Sequence, residues 1–458
     1  MLRRVLLVLA VTALAAAPSP ATGAPRPVPA GVALPTSGPA LLQPPDVLAG
    51  ALACEGDVAG AARLPVLLVH GTGSTPEESW DLVVADALRA DGHPVCTVAL
   101  PERATGDMQV STEQVVAGIR AVAAQRGGRI SVVGHSQGAT LLVRALQYWP
   151  DLPDLVEDYV GLAPTFQPGL TGEALCAVPC SAPFQQRRTA SAYFTAVRSH
   201  PLVPGPSYTT IATRFDEIAA PAPEASRLDG AVNLVLQDRC PAKAVEHFGL
   251  LVDGTVLDLV RDGLAQDGPV DPARLPDAAC GKALPDGVDP VALAPRLATS
   301  VANDLRANQE SEKLDAEPPV RCYVAASCTD VDDRGRLLLA PRLDGRVLRA
   351  QVQAPGTVRV ASAGTEVVVP VAVGALALPL PAGAAGEVRV ETSTSFYAAG
   401  VEAVLALPAA SVSPAAPAAA PARPAATGGL AATGGTAGAG GLVLVAAALV
   451  LARARRRA

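Results

Sequence analysis

Chemical potential in this chain is concentrated in one pentapeptide, Gly134-His135-Ser136-Gln137-Gly138. G-x-S-x-G is the pattern of a nucleophile elbow, in which a strand turns abruptly into a helix and holds the serine strained and exposed, with glycines where side chains would collide. The bare pattern arises by accident in glycine-rich chains, so its flanks decide its meaning. Here they agree: Ile130-Ser131-Val132-Val133 reads as a β-branched strand, and residues 139–149 set Leu141, Leu142, Ala145 and Leu146 along one side of a helix. A serine hydroxyl is a weak nucleophile until a base removes its proton. Where such an elbow operates, the acid and then the histidine follow it along the chain. That order sets aside His70, His93 and His135 and leaves His200 and His247. Residues 208–213 read as a strand with Asp216 and Glu217 just beyond it; His200 precedes both acids, whereas His247 follows the next strand, 232–236. The consistent set is Ser136, Asp216 or Glu217, and His247. An attacked carbonyl becomes an oxyanion and needs preorganised donors. Gln137 offers its main-chain N–H, and the turn His70-Gly71-Thr72-Gly73 offers a second N–H and the Thr72 hydroxyl.

These residues need a scaffold, and the middle of the chain supplies one pattern repeatedly: a short apolar run, then an amphipathic stretch. The runs 64–70, 94–99 and 130–134 read as strands, and 76–90 and 111–126 as helices. Such alternation predicts an α/β fold with a mostly parallel central sheet. The apolar segments 162–170 and 248–257 flank the expected site and are candidates to line an acyl channel. Beyond Arg321 the pattern changes to β-branched runs at 336–339, 347–353, 357–361, 366–373, 387–391 and 399–407, broken by Pro and Gly, which predicts a small all-β sandwich; a spacer is its default role, a surface-binding module or a support for the hydrolase the alternatives. Asp330, Asp332 and Asp333 before Gly335 faintly match a calcium loop, but Pro341 stands where the twelfth-position acid belongs, so a strand turn explains them better. No metal or organic cofactor is expected.

Composition bounds the rest. The 458 residues carry a formal charge of −7, and setting aside the six arginines clustered at the two ends leaves 30 basic against 43 acidic residues, or −13, so nucleic-acid binding is excluded as the main business of the chain. Apolar residues make up 50% and aromatic residues only 3%, which predicts a core of Ala, Val and Leu rather than general disorder. Three lysines against 33 arginines, with abundant Ala, imply a GC-rich bacterial genome. At the start, Arg3 and Arg4 precede an apolar run, residues 5–17, of the length of a secretory signal, with cleavage expected near Ala24. In an exported chain the eight cysteines point to disulfides, and their spacing suggests sequential neighbours: Cys54 with Cys96, Cys176 with Cys180, Cys240 with Cys280, and Cys322 with Cys328.

Residues 66–75 (Val-Leu-Leu-Val-His-Gly-Thr-Gly-Ser-Thr) with Trp80 beyond them, the Ser136-Gln137-Gly138 elbow, and Phe215-Asp216-Glu217-Ile218 together resemble the Candida antarctica lipase B type of α/β-hydrolase over residues 43–331. The resemblance implies Ser136, Asp216 and His247 as the triad, with Asp216 rather than Glu217 as the acid, and Thr72 and Gln137 as the oxyanion residues. It also matches three of the cysteine pairs. This sequence departs from the family at His70, where the family has proline, and in the extra Cys176 and Cys180, which follow Pro164 where the family has a mobile helix.

At the other end, a Pro/Ala-rich linker leads to Leu430-Ala431-Ala432-Thr433-Gly434, then a weakly apolar stretch, residues 437–452, and the arginines to Arg457. This tail resembles a sortase-type cell-wall sorting signal of the Leu-Ala-x-Thr-Gly variant, which implies cleavage after Thr433, a sortase-like transpeptidase and peptidoglycan as partners, and transient membrane contact. The expected organisation is a signal peptide (1–24), an N-terminal extension (25–42), an α/β-hydrolase catalytic domain (43–316), a β-sandwich module (317–407), a linker (408–429) and a sorting signal with its apolar segment and basic end (430–458). The function implied is a secreted, surface-attached lipase or esterase acting on lipid-like carboxylic esters through an acyl-enzyme. An acyltransferase or polyester depolymerase on the same triad is the enzymatic alternative, and an adhesin on an inactive scaffold the non-enzymatic one.

Overall fold

A computed structural model of the chain describes residues 37–327, 337–352, 356–372, 374–393 and 400–407. The signal segment, the acidic run at Asp330, Asp332 and Asp333, Cys328, and the tail containing residues 430–434 lie outside the described residues.

Seven strands form the first sheet: β1 (Leu52–Glu55), β2 (Val66–Val69), β3 (Val95–Val98), β4 (Ile130–His135), β5 (Val156–Leu162), β6 (Ser207–Ala212) and β7 (Val232–Val235). Their spatial order is β1-β3-β2-β4-β5-β6-β7, with β1 antiparallel to β3 and every other pair parallel. This is the mostly parallel sheet that the alternation of strand and helix predicted, in the α/β-hydrolase arrangement that the resemblance implied. Helices cover both faces, so both sides of a central strand are apolar. In β2, Leu67 and Val69 join one core with Ile119 and Leu141, while Val66 and Leu68 join the other with Leu88 and Val256.

Several boundaries differ from the sequence reading, each for a physical reason. Residues 76–90 form two short helices, Pro76–Ser79, capped by the Thr75 hydroxyl, and Val84–Ala90, with Val83 ahead of the second at a non-helical φ of −153°. The next helix starts earlier than expected, at Met108, where Asp107 accepts from the main-chain N–H of Gln109 at 2.9 Å. β5 escaped the reading because Glu157 and Asp158 interrupt its start; Asp158 is buried there and accepts from the Ser131 and Ser207 hydroxyls at 2.9 and 2.8 Å.

The catalytic unit also extends past its expected limits of 43 and 316. Upstream, Trp149 donates to the Pro39 carbonyl at 2.9 Å and Arg120 to that of Ser37 at 2.7 Å. Downstream, Glu317 accepts from Ser191 and Ala192 at the head of the helix Ala192–Ser199, and Tyr323 packs edge-on against Tyr148 and Trp149 at 5.4 Å. Residues 317–324 thus serve the hydrolase core rather than the β module.

Three expected disulfides are formed, Cys54–Cys96, Cys176–Cys180 and Cys240–Cys280. The first joins directly opposed residues of β1 and β3. Cys322 is also disulfide-bonded.

The second part is all-β, as expected: β8 (Leu338–Asp344), β9 (Val347–Val352), β10 (Gly356–Ser362), β11 (Thr365–Val371), β12 (Gly374–Pro379), β13 (Glu387–Ser393) and β14 (Gly400–Ala406). They form antiparallel sheets of four (β11-β10-β13-β14) and three (β12-β9-β8) strands. Alternate residues such as Leu348, Val358, Val360, Val388 and Val390 build their core. The extra strand relative to the reading, β12, pairs with β9.

Candidate active site

Ser136, Gln137, Thr72, Asp216 and His247 all lie beyond the carboxyl ends of the parallel strands, where open α/β sheets present their ligand sites. Ser136 sits between β4 and the helix Gln137–Tyr148 with φ 54° and ψ −123°, a conformation that costs about 1–3 kcal/mol and persists only where its surroundings enforce it. The enforcement is visible. Ser136 N–H donates to the Leu162 carbonyl at 2.8 Å. A Cβ on Gly138 would lie 2.2 Å from the Val69 oxygen, and one on Gly134 would lie 2.4 Å from Cα of Ala139. Strand and helix approach too closely there for any residue but glycine.

Asp216 follows β6, and His247 lies in the loop after β7 and the short helix Leu236–Arg239. Both Asp216 carboxylate oxygens are 2.9 Å from His247 Nδ1, and both side chains are buried. Burial pushes the Asp216 carboxyl up, but the His247 hydrogen bond and charge and the N–H groups of Ala219 (2.6 Å) and Ile218 (3.0 Å) outweigh it and hold Asp216 below the ordinary carboxylate range. An ionised Asp216 keeps the proton of His247 on Nδ1 and turns Nε2 into the free base. Glu217, the other acid the sequence offered, takes a different position and accepts from the main-chain N–H of His247 at 3.2 Å.

Among the described residues no hydrogen bond joins Ser136 to His247. The imidazole is instead brought to the elbow through His135, whose ring centroid is 4.7 Å from that of His247 and whose Nε2 is 3.1 Å from the His247 carbonyl oxygen. Burial lowers His135 to about 3, so its ring stays neutral and donates from Nε2 to that carbonyl. Sequence reasoning set His135 aside as a base and had no signal for this anchoring contact.

The turn expected to face an oxyanion is equally braced. Gln137, first residue of its helix, has a main-chain N–H without an intrahelical acceptor. The Thr72 hydroxyl donates to Gln137 Oε1 at 2.6 Å, while Gln137 Nε2 is buried without an acceptor. Turning that amide over lets Nε2 donate to Thr72 Oγ and releases the threonine proton toward a bound substrate, so the pair has two hydrogen-bond senses. The turn itself is clamped: Arg103 Nε donates to the Gly73 carbonyl at 2.8 Å, and Gly73 N–H donates to the Arg103 carbonyl at 2.7 Å. His70 accepts from Leu100 N–H on Nε2 at 3.0 Å and donates from Nδ1 to the Gly71 carbonyl at 2.8 Å. Burial lowers it to about 4, which keeps this bonding pattern intact near neutrality. His70 is a structural tie between the turn at residues 70–73 and the end of β3.

Ser136 and Thr72 open into a cavity of about 550 Å³. Of the two segments expected to line it, only Phe248 does so; Leu162, Leu250, Leu251 and Leu257 are buried in the core. The walls come from two other stretches, the first in the region where the resemblance implied a mobile helix by the pocket and the second without any signal in the sequence. One runs from Thr171 to Arg187 and carries Leu175, Val178 and Cys180, and the other is the end of the helix Pro290–Glu310 with Asp304, Leu305 and Asn308. Leu175, Val178 and Leu305 are at the same time solvent-exposed, which gives the mouth an apolar rim. Among the described residues no group of His, Cys, Asp and Glu is arranged to hold a metal ion.

With this geometry in view, comparison with known proteins gives two informative likenesses. The chain is 31% identical over 227 residues to lipase B of Pseudozyma antarctica, a match covering 47% of this chain and 66% of that protein, just under two thirds of its length. The crystal structure of Aspergillus fumigatus lipase B superposes with a TM-score of 0.58 at 26% identity, over 68% of this chain and 77% of that one. A mature Bacillus licheniformis lipase reaches only a TM-score of 0.35 at 16% identity, over 40% and 88% of the two chains, and carries no argument. No family model matches the sequence. Residues 37–327 therefore have a lipase-B-like α/β-hydrolase fold.

Proposed function

We propose that this chain hydrolyses carboxylic esters of lipid-like acids, with Ser136 as nucleophile, His247 as general base and Asp216 as its orienting acid. The observation that carries the reading is the pairing of Asp216 with His247 Nδ1 beside a serine held at positive φ. Ser136 Oγ attacks the ester carbonyl carbon while its proton passes to His247 Nε2. The carbonyl π electrons move to oxygen, and the oxyanion is met by the Gln137 N–H and the Thr72 side. Collapse expels the alcohol, which takes the proton from His247 and leaves an acyl-serine. Water, deprotonated by the same imidazole, releases the acid and restores the serine. A cavity of this size suits a small organic ligand. Its apolar rim of Leu175, Val178 and Leu305 favours a substrate presented from a lipid surface over a charged one.

The test is turnover of p-nitrophenyl esters of graded chain length by the parent and by Ser136→Ala. The substitution should lower kcat by at least about 10⁴-fold; equal rates would remove Ser136 from the mechanism. We further propose that the chain is exported and held on the outside of the cell through Leu430, Ala431, Ala432, Thr433 and Gly434. Deleting those five residues should move the esterase activity from the cell fraction to the medium. Activity that stays cell-bound after the deletion argues for another mode of retention.

A further inference from the structure

The helix Pro290–Glu310 turns three side chains inward, Leu293, Ser300 and Asp304. The last is 7% exposed and lines the same cavity as Ser136 and Thr72. Its Oδ1 occupies the space beside Gly73, where a Cβ would lie 2.4 Å from it, so the oxyanion turn and this carboxylate are packed against one another. Gly73 has φ +80°, so its own conformation also disfavours a side chain there. Among the described residues no donor reaches Asp304 Oδ1, and no Lys or Arg pairs with the group. Its neighbour Asn308 offers Nδ2 to Oδ2 at 3.4 Å, and the Asn308 Oδ1 is itself buried without a donor. Two acceptors therefore stand together on the cavity wall with one long hydrogen bond between them. The buried Asn308 oxygen is costly in that state, and a ligand that brings a donor to the cavity-lining Asp304 carboxylate beside it makes a hydrogen bond the protein itself leaves unmade.

We propose that Asp304 is a specificity-determining residue that selects esters carrying a free hydroxyl group, whose O–H it accepts in the cavity beside the reacting carbonyl. The inference rests on the reading of Ser136 as the ester-attacking nucleophile. A hydroxyl fits better than an ammonium, because the Arg187 guanidinium, 5% exposed and without a carboxylate partner among the described residues, lines the same cavity, as does Lys313. Those charges oppose a cation and leave a neutral donor unopposed. A carboxylate-bearing substrate is opposed by Asp304 itself. Hydrogen bonds to an ionised acceptor are roughly twice as strong as neutral ones, and a site built around one discriminates sharply against the analogue that lacks the donor.

The experiment compares kcat/KM within two matched pairs, glycerol 1-monobutyrate against propyl butyrate and ethyl 3-hydroxybutyrate against ethyl butyrate. The first pair places the hydroxyl on the alcohol arm and the second on the acyl arm. In the parent, the hydroxylated member of at least one pair should be preferred by about 10- to 100-fold. Asp304→Ala should bring that ratio close to one. Asp304→Asn, which keeps the shape and one acceptor, should give an intermediate ratio and guards against a folding defect in the alanine variant. A parent ratio near one in both pairs, or a preference that survives both substitutions, overturns the assignment. So does an equal loss on both members of each pair, the mark of a residue acting on His247 rather than on substrate. If the parent shows no turnover that depends on Ser136, the hydrolase reading itself fails, and that result is distinct from turnover without discrimination.

Discussion

At the scale of single residues, two neighbouring acids separate two roles. Asp216 faces the His247 ring and Glu217 its main chain, so the same charge removed at the two positions should have unequal effects. Asp216→Asn leaves an amide opposite Nδ1 that favours the wrong tautomer, and kcat should fall by about 10⁴-fold. Glu217→Gln keeps an acceptor for the His247 N–H and should change kcat by less than about tenfold. Comparable losses from the two substitutions, measured on one p-nitrophenyl ester, would undo the assignment of the acid. How far such residues can be read from sequence depends on whether chemistry leaves a local mark. Ser136 has one in its glycines; once it is accepted, chain order gives His247 and narrows the acid to Asp216 or Glu217, between which only the family resemblance chooses. Asp304 has none. It stands among Asn303, Arg306 and Asn308 in a stretch that reads as the wet side of a helix, and only the placement of that helix over the cavity turns it inward. Arg187 is hidden in the same way.

At the scale of elements, legibility follows burial symmetry. β2 and β4 are covered on both faces and show as apolar runs, unbroken in β2 and interrupted in β4 by Ser131, whereas the edge strand β1 is only half-buried along its length and β5 carries its two acids at the start, so neither announces itself. The helix Gln137–Tyr148 is buried all round, which is why its amphipathic stripe was a weak guide to its ends and the elbow glycines a better one. The β module was readable because one face of each strand is wet: β9 and β13 alternate buried and exposed residues in the two-residue period that the pattern requires. The cavity walls obey neither period. Residues 170–187 are short helices and turns held by Cys176–Cys180, by the bonding of Cys180 with Leu314, and by Glu173 accepting from Thr189 N–H at 2.7 Å. Such a segment is specified by contacts distant in sequence, so the shape of the pocket, and with it the choice of substrate, is the part of the molecule least visible in the chain alone.

At the scale of the whole molecule, the buried titratable groups fix how stability responds to pH. His70 and His135 are lowered by burial to about 4 and about 3 from an ordinary 6.5. Between those values the unfolded chain binds two protons that the folded one refuses, so this pair makes stability fall as pH falls. Asp158 and Asp304 are pushed by burial from 3.8 to about 6. In that window the folded protein holds two protons that the unfolded chain has released, so this pair makes stability rise as pH falls. The two contributions oppose each other around pH 5; His93 and His200, also lowered by burial, add to the first, and Asp81, raised by burial, adds to the second. Below the ordinary carboxylate range the protonation of Asp216, held low in the folded state, adds a further loss. Replacing Asp304 by Asn removes one arm of the balance. Between pH 4.5 and 5.5 the unfolding free energy of the variant should climb more steeply with pH than that of the parent, by about 1.4 kcal/mol per pH unit for one proton. Above pH 6 the variant should be the more stable protein, since it no longer carries an unpaired buried charge. Urea denaturation of both proteins at the two pH values measures the difference directly. Parallel slopes would mean that Asp304 ionises in the folded protein as readily as in the unfolded chain, and the conflict between a stable fold and an acceptor on the cavity wall would then not exist.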